Sequence, residues 1–235
     1  MYKDNFHYLK EDRSNKPKES FKIAYNLAKK KILSNKKIVV ADFGCATGDF
    51  VYYLKQKKIN QIYGFDINKK FIDSAQKKCG GEGVEFKRID LLKKDKRFKK
   101  NFDITFSIGV GSHFRSIEKY LSSLIFYTKS KGVVIVENIF NNYDLDVLVS
   151  HRHSNDKSYT WHSDWNFFSK KTVSRILKKH YHVKTFNFFN SKFNKILPQK
   201  KNPIRSWSVN LNGKKKLMNG LTFIQNHLFL IIYIR

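Results

Sequence analysis

The stretch that most constrains the fold is Ile38 to Phe50, which reads Ile-Val-Val-Ala-Asp-Phe-Gly-Cys-Ala-Thr-Gly-Asp-Phe. Ile38 to Ala41 is a continuous apolar run, which predicts a strand buried on both faces, as in a parallel sheet covered by helices. The run feeds directly into an acid, Asp42, and a turn of small residues, Gly44-Cys45-Ala46-Thr47-Gly48. Such a turn lets backbone approach a ligand closely. From Asp49 the sequence Asp-Phe-Val-Tyr-Tyr-Leu has helical spacing, so the N–H groups of the turn and of the helix start converge on one point. A nucleotide-type ligand is the implication.

The rest of the chain is organised around that unit. Residues 1–37 give a polar opening, Glu11 to Lys18, and a helix, Glu19 to Leu33, with Phe21, Ala24, Leu27, Ala28 and Ile32 on one face; Ser34-Asn35 ends it. A second strand, Gln61 to Phe65, has Asp66 at its tip, and a helix over Asn68 to Lys78 is closed by Gly80-Gly81. Val84 to Ile89 alternates as a strand and ends at Asp90, Phe102 to Ile108 is the next strand, Ser116 to Thr128 a helix, and Gly132 to Val136 a fifth, apolar strand ending at Glu137-Asn138. Strands alternating with helices imply right-handed crossovers and a parallel sheet. In such a sheet ligands bind beyond the carboxyl ends of the strands where strand order reverses, which is where Asp42, Asp66, Asp90 and Ser107 are expected to meet.

Beyond residue 138 the pattern changes. Residues 138–168 are long and aromatic for a connection, and predict a lid over an acceptor site. Ser169 caps a helix through Lys179, Tyr181 to Phe189 reads as a strand, residues 206–211 and 216–218 form a hairpin across Asn212-Gly213, and His227 to Ile234 is a strong last strand. The expected fold class is α/β: a Rossmann-like, seven-stranded, mostly parallel sheet with an antiparallel last strand and helices on both faces, carrying the lid and the C-terminal hairpin. The 235 residues suit a single domain, divided into a helical opening (1–37), a core (38–137), a lid (138–168) and a C-terminal part (169–235).

Composition bounds the setting. No apolar signal core occupies the first residues and no stretch reaches the roughly 20 apolar residues of a membrane span, so a cytoplasmic protein is expected. Two cysteines, Cys45 and Cys79, make no disulfide framework. The formal charge of +28 invites a nucleic-acid reading. Yet the 47 basic residues are nearly all lysines spread along the whole chain, which also describes an ordinary solvated surface.

Asp42-Phe43-Gly44-Cys45-Ala46-Thr47-Gly48, with Asp66 and Asp90-Leu91 at the next two strand tips, resembles the motif set of class I S-adenosylmethionine-dependent methyltransferases. The resemblance spans roughly residues 20–140 and implies S-adenosyl-L-methionine as cofactor and S-adenosyl-L-homocysteine as product. It implies that Gly44, Ala46 and Gly48 admit the cofactor's tail and ribose, that Asp66 accepts the ribose hydroxyls, that Asp90 takes the adenine amino group between Ile67 and Leu91, and that Asp42 orients turn and tail, with Ser107 on the same rim. A dinucleotide site fits less well, because the spacing is Gly-x-x-x-Gly and Asp42 would repel a pyrophosphate.

Methyl transfer is an in-line displacement at an activated carbon, so the enzyme supplies alignment and, where the acceptor must lose a proton, a base. Candidates for the base are His113, after the fourth strand, and Glu137; His151, His153 and His162 lie in the lid. Asn138, Arg152, Trp161 and Trp165 are candidate acceptor contacts, and no metal set is evident. The chain has Ser107-Ile108-Gly109-Val110 where base-modifying nucleic-acid enzymes of this family often carry an Asn/Asp-Pro-Pro-Tyr/Phe motif, so it looks more like its small-molecule and surface-polysaccharide members. The expected acceptor is therefore a small or carbohydrate-linked molecule methylated at oxygen or nitrogen. RNA and a non-catalytic binding role are the alternatives, and the hairpin could close the pocket or make a homodimer contact.

Overall fold

The computed structural model describes residues 7–11, 13–34, 37–155, 157, 160–191, 196–199 and 201–235. The readings made on residues 1–6, Asp12 and Asn35 lie outside it. A central sheet runs in the order β3-β2-β1-β4-β5-β12-β9, with a short eighth strand, β8, beside β5. Its strands are β1 (Val39–Phe43), β2 (Gln61–Asp66), β3 (Val84–Arg88), β4 (Phe102–Ile108), β5 (Thr128–Asn141), β8 (Phe168–Ser169), β9 (Val183–Asn190) and β12 (His227–Ile234). All pair in parallel except β12, which runs antiparallel to both neighbours. This is the expected arrangement, with β8 as an addition.

Helices α1 (Glu19–Ser34), α2 (Asp49–Gln56) and α3 (Lys69–Cys79) cover one face; α4 (Ile117–Tyr127) and α5 (Lys170–Lys179) cover the other. Each face buries its own cluster. Phe21, Phe50, Val51 and Ile72 pack on Val40, Ile104 and Ile135; Leu121, Leu124, Val173 and Leu177 pack on Phe43, Val134 and Leu230. The continuous apolar runs of β1, β5 and β12 are explained by this two-sided burial, since every residue must face one cluster or the other.

The fifth strand is longer than Gly132 to Val136. β12 pairs with it as far as Ile139, and β8 with Phe140 and Asn141, so the stretch assigned to the lid opens as sheet. Beyond it, β6 (Ser150–His151) pairs with β7 (His162–Ser163), and Val147 bridges Phe167, folding the segment back over the carboxyl end of β5. The predicted hairpin forms from β10 (Trp207–Leu211) and β11 (Lys214–Met218), with Asn212 and Gly213 both at positive φ as its turn requires. Among the described residues no helix is long and apolar enough to cross a membrane.

Candidate active site

Strand order reverses between β1 and β4, so the loops after their carboxyl ends face each other. The glycine turn after β1 is held by Gly44 and Cys45 N–H groups donating to the Phe65 carbonyl, at 2.7 and 2.9 Å. Gly44, Ala46 and Gly48 all have positive φ. Gly44 is also required sterically, because a Cβ there would meet Val110 Cγ2 at 2.4 Å. The turn is thus packed against the loop after β4.

Asp42 is 3% exposed. Burial, with a contribution from the Asp66 charge, pushes its carboxyl up to about 8 against the pull of Lys18. Asp66 accepts the Ala46 N–H at 3.0 Å through one oxygen and the Asn68 N–H at 2.8 Å through the other. Burial still holds its pKa above the ordinary aspartate value despite those bonds. Each of its oxygens keeps a lone pair for a ribose hydroxyl. Asp90 caps the short turn Leu91–Lys93 by accepting the Leu92 N–H. Ile67 is 57% exposed beside this edge, whereas Leu91 is buried in the core and Ser107 is fully buried with its hydroxyl donating to the Phe43 carbonyl. Two strand-tip carboxylates, an exposed apolar side chain and a positive-φ turn fit the ribose, adenine and tail of S-adenosyl-L-methionine.

Next to the turn lies a cavity of about 380 Å³, whose lining includes Gly109, Ser112, His113, Glu137, Asn138, Asp164, Trp165 and His227. Two imidazole–carboxylate pairs face it. His113 Nδ1 lies 2.9 Å from Asp164 Oδ1, and His227 Nδ1 lies 2.6 Å from Glu137 Oε1. Burial disfavours a charged His113, but the bond to Asp164 and the charges of Asp164 and Asp66 hold its pKa above the ordinary histidine value. Asp164 donates its N–H to Val149 O at 3.3 Å and accepts the Trp165 N–H through Oδ1 at 2.6 Å, and the same segment is pinned by the fully buried Asn166, which donates its N–H to Ser112 O and its amide to Phe114 O and accepts the Val149 N–H. His227 Nε2 lies 3.2 Å from Gln225 Oε1, so both ring nitrogens are engaged.

Three donors on the lining make no bond: Arg13 Nε, Asn138 Nδ2, on a residue 2% exposed, and Trp165 Nε1, on a residue held at φ 62°. Buried unmade donors of this kind are uncommon and call for a physical explanation. Of the expected acceptor contacts, Asn138 and Trp165 line the cavity. Arg152 and Trp161 do not; the guanidinium lies 5.4 Å from the Trp161 ring, which is 62% exposed. His151 and His162 pair with each other's strands, also off the lining.

Sequence reading missed Asp164 and His227. The second had a signal: if the last strand is antiparallel, its first residue falls at the carboxyl end of β5, and His227 is indeed opposite Ile139. It also missed residues 7–11 and 13–18, which cross the site. Thr47 Oγ1 donates to Tyr8 O at 3.3 Å, the Tyr8 ring meets Phe71 edge-on, and Arg205 reaches from the C-terminal part to both Glu11 (2.8 Å) and His7.

A family model described as a methyltransferase domain matches residues 34–202, more than half of the chain. The chain belongs to this methyltransferase family. Its cofactor is S-adenosyl-L-methionine, in agreement with the turn and the acids at the strand tips. Among curated proteins the methyltransferase is similar to a tRNA U34 carboxymethyltransferase of Helicobacter pylori (strain J99 / ATCC 700824), 25% identical over 115 residues, which are 47% of this chain and 44% of that protein. It therefore aligns with less than half the length of that relative. Among solved structures, the PH0226 protein from Pyrococcus horikoshii OT3 superposes with a TM-score of 0.60 at 14% identity over 100% of both chains. The methyltransferase domain of bacterial CtHen1 superposes with a TM-score of 0.56 at 16% identity, over 92% of this chain and 97% of that one. At these identities the structures share the fold of the methyltransferase.

Proposed function

We propose that this methyltransferase methylates an oxygen or nitrogen of a small or carbohydrate-linked acceptor, whose reactive group enters the cavity between the loop after β4 and the end of β5. S-adenosyl-L-methionine supplies a methyl carbon already activated by its sulfonium. The chain's residues align the acceptor and take its proton. His113 is the base: Asp164 holds its Nδ1–H, which leaves the Nε2 lone pair as the basic position. Asn138 Nδ2 and Trp165 Nε1 donate to acceptor oxygens, which would satisfy both groups. Glu137 and His227 fix the floor on the β12 side.

The observation that carries this reading is that an aspartate-held imidazole and the unmade donors of Asn138 and Trp165 line one small cavity beside the glycine turn. The test is methyl transfer from labelled cofactor to a panel of hydroxyl and amine acceptors, with calorimetry against S-adenosylhomocysteine as control. His113→Gln is expected to lower kcat by about 10²-fold or more with the calorimetric affinity unchanged. An unchanged kcat would remove His113 from the mechanism.

An RNA acceptor is the second reading, favoured by the +28 charge and by the name of the curated relative. It predicts an affinity for transfer RNA that falls steeply as salt rises, and failure to bind at low salt would remove it.

A further inference from the structure

We infer that the cavity wall built by Arg13, Lys16 and Arg205 binds an anionic group on the acceptor, a carboxylate or a phosphate. The inference rests on the cavity being the acceptor chamber and names the chemistry of what enters it.

Four cations line this one wall: Arg13, Lys16, Lys18 and Arg205. Among the described residues one carboxylate, Glu11, serves two of them, with Arg13 Nη2 at 3.1 Å and Arg205 Nη2 at 2.8 Å. Neither Lys16 nor Lys18 has a carboxylate within ion-pair distance among the described residues. Lys18 instead lies 5.4 Å from the Tyr8 ring centroid and 5.6 Å from that of Phe21, on the side where its charge reaches Asp42. Burial raises the pKa of Asp42, which weakens the negative charge that faces Lys18. Arg13 Nε is buried and makes no bond. Of the other acids of the lining, Glu137 is committed to His227 and Asp164 to His113, which leaves Glu19, in the first turn of α1, as one carboxylate beside the four cations.

A partly enclosed wall with more cations than anions is stabilised by an anion that supplies the missing charge and hydrogen-bond acceptors. The cofactor's carboxylate would account for one such anion if Lys18, next to the glycine turn, holds it. Arg13 and Lys16 then remain for a second, carried by the acceptor. Arg205 is tied to Glu11 and His7 and completes the wall from the C-terminal side.

The experiment uses full-length protein saturated with S-adenosylhomocysteine, so that the cofactor's own carboxylate is already in place. Sodium phosphate and sodium acetate are titrated separately at constant ionic strength in chloride, followed by calorimetry and by NMR shifts. Saturable binding of one or both is expected, and the tighter of the two tells phosphate from carboxylate as the recognised group. Lys16→Ala and Arg13→Gln are each expected to weaken that binding at least about fivefold while S-adenosylhomocysteine affinity, which also reports folding, stays within about twofold. Phosphate and acetate that bind only without S-adenosylhomocysteine, or that bind both variants as tightly as wild type, would overturn the inference. So would variants that lose S-adenosylhomocysteine affinity in step with anion affinity, because the cations would then serve the cofactor alone. Failure of the acceptor reading itself shows separately, in His113→Gln kinetics.

Discussion

His113 and Asp42 are residues whose protonation the fold has moved, and each gives a pH dependence with a definite sign. A base must be neutral to accept a proton, and Asp164 raises the pKa of His113, so kcat should rise with pH and level off above the ordinary histidine value of 6.5. Asp164→Asn removes the charge that supports the imidazolium. The rising limb should then move to lower pH while the plateau falls, and a limb that stays in place would exclude His113 as its source. Asp42 works in the other sense. Its folded pKa of about 8 lies above the ordinary 3.8, so the folded chain binds a proton that the unfolded chain has released across that interval. The stability associated with that proton is present below pH 3.8 and is lost as pH rises toward 8. Asp42→Asn should flatten the slope of Tm against pH and raise Tm at pH 8.5 by at least about 2 °C, while weakening cofactor affinity. Asp42 and His113 were legible in the sequence because one sits at the carboxyl end of an apolar strand and the other in the short loop after the parallel strand β4; Asp164 was not, since its partner lies 51 residues away and its own segment is aperiodic.

The element that organises the site is the turn between β1 and α2. Its glycines were readable from spacing, but their physical role is partly different from close approach to a ligand. Gly44 gives way to Val110 from the loop after β4, and Gly48 to Ala75 and Phe86, so the turn is shaped by protein packing as well as by what binds it. Gly44→Ala meets both a positive φ and a 2.4 Å clash, and should cost about 2–4 kcal/mol. The same change in a Val110→Ala background should cost at least about 1 kcal/mol less, and equal costs in a denaturant double-mutant cycle would show that the clash relaxes freely. Sheet elements were read well for the same reason that they fold well: runs such as Leu228 to Ile232 are buried on both faces and have one way to be satisfied. The extension of β5 to Asn141 was not readable, because Ile139 to Asn141 become strand only when β12 and β8 arrive from 88 and 28 residues away in the pairs His227 with Ile139 and Phe168 with Phe140.

At the scale of the whole molecule, the two ends of the chain meet over the site. Residues 7–11 and 13–18 contact the glycine turn through Tyr8 and Thr47, and the C-terminal part through Glu11 and Arg205, which are 194 residues apart. No periodicity marks such a segment, so its sequence reads only as a polar opening; what gives it a place is one shared carboxylate between two arginines. Glu11 is desolvated, which alone would raise its pKa, yet the charges of Arg205, Arg13 and Lys18 leave it below the ordinary 4.5. A depressed carboxylate contributes stability that is complete above 4.5 and is lost as pH falls through its lower folded value, so the latch should hold at neutral pH and loosen only in acid. Glu11→Gln removes the shared charge and leaves Arg13 and Arg205 facing each other without compensation. Trypsin should then cut after Arg13 or Lys18 several-fold faster than in wild type at pH 7.5, with cleavage in the sheet core unchanged. S-adenosylhomocysteine should restore part of the protection if, as proposed, the cofactor binds at the glycine turn that these residues cross. Equal cleavage rates in the two proteins would mean that Tyr8 and its contacts with Thr47 and Phe71 hold the segment without the ion pair.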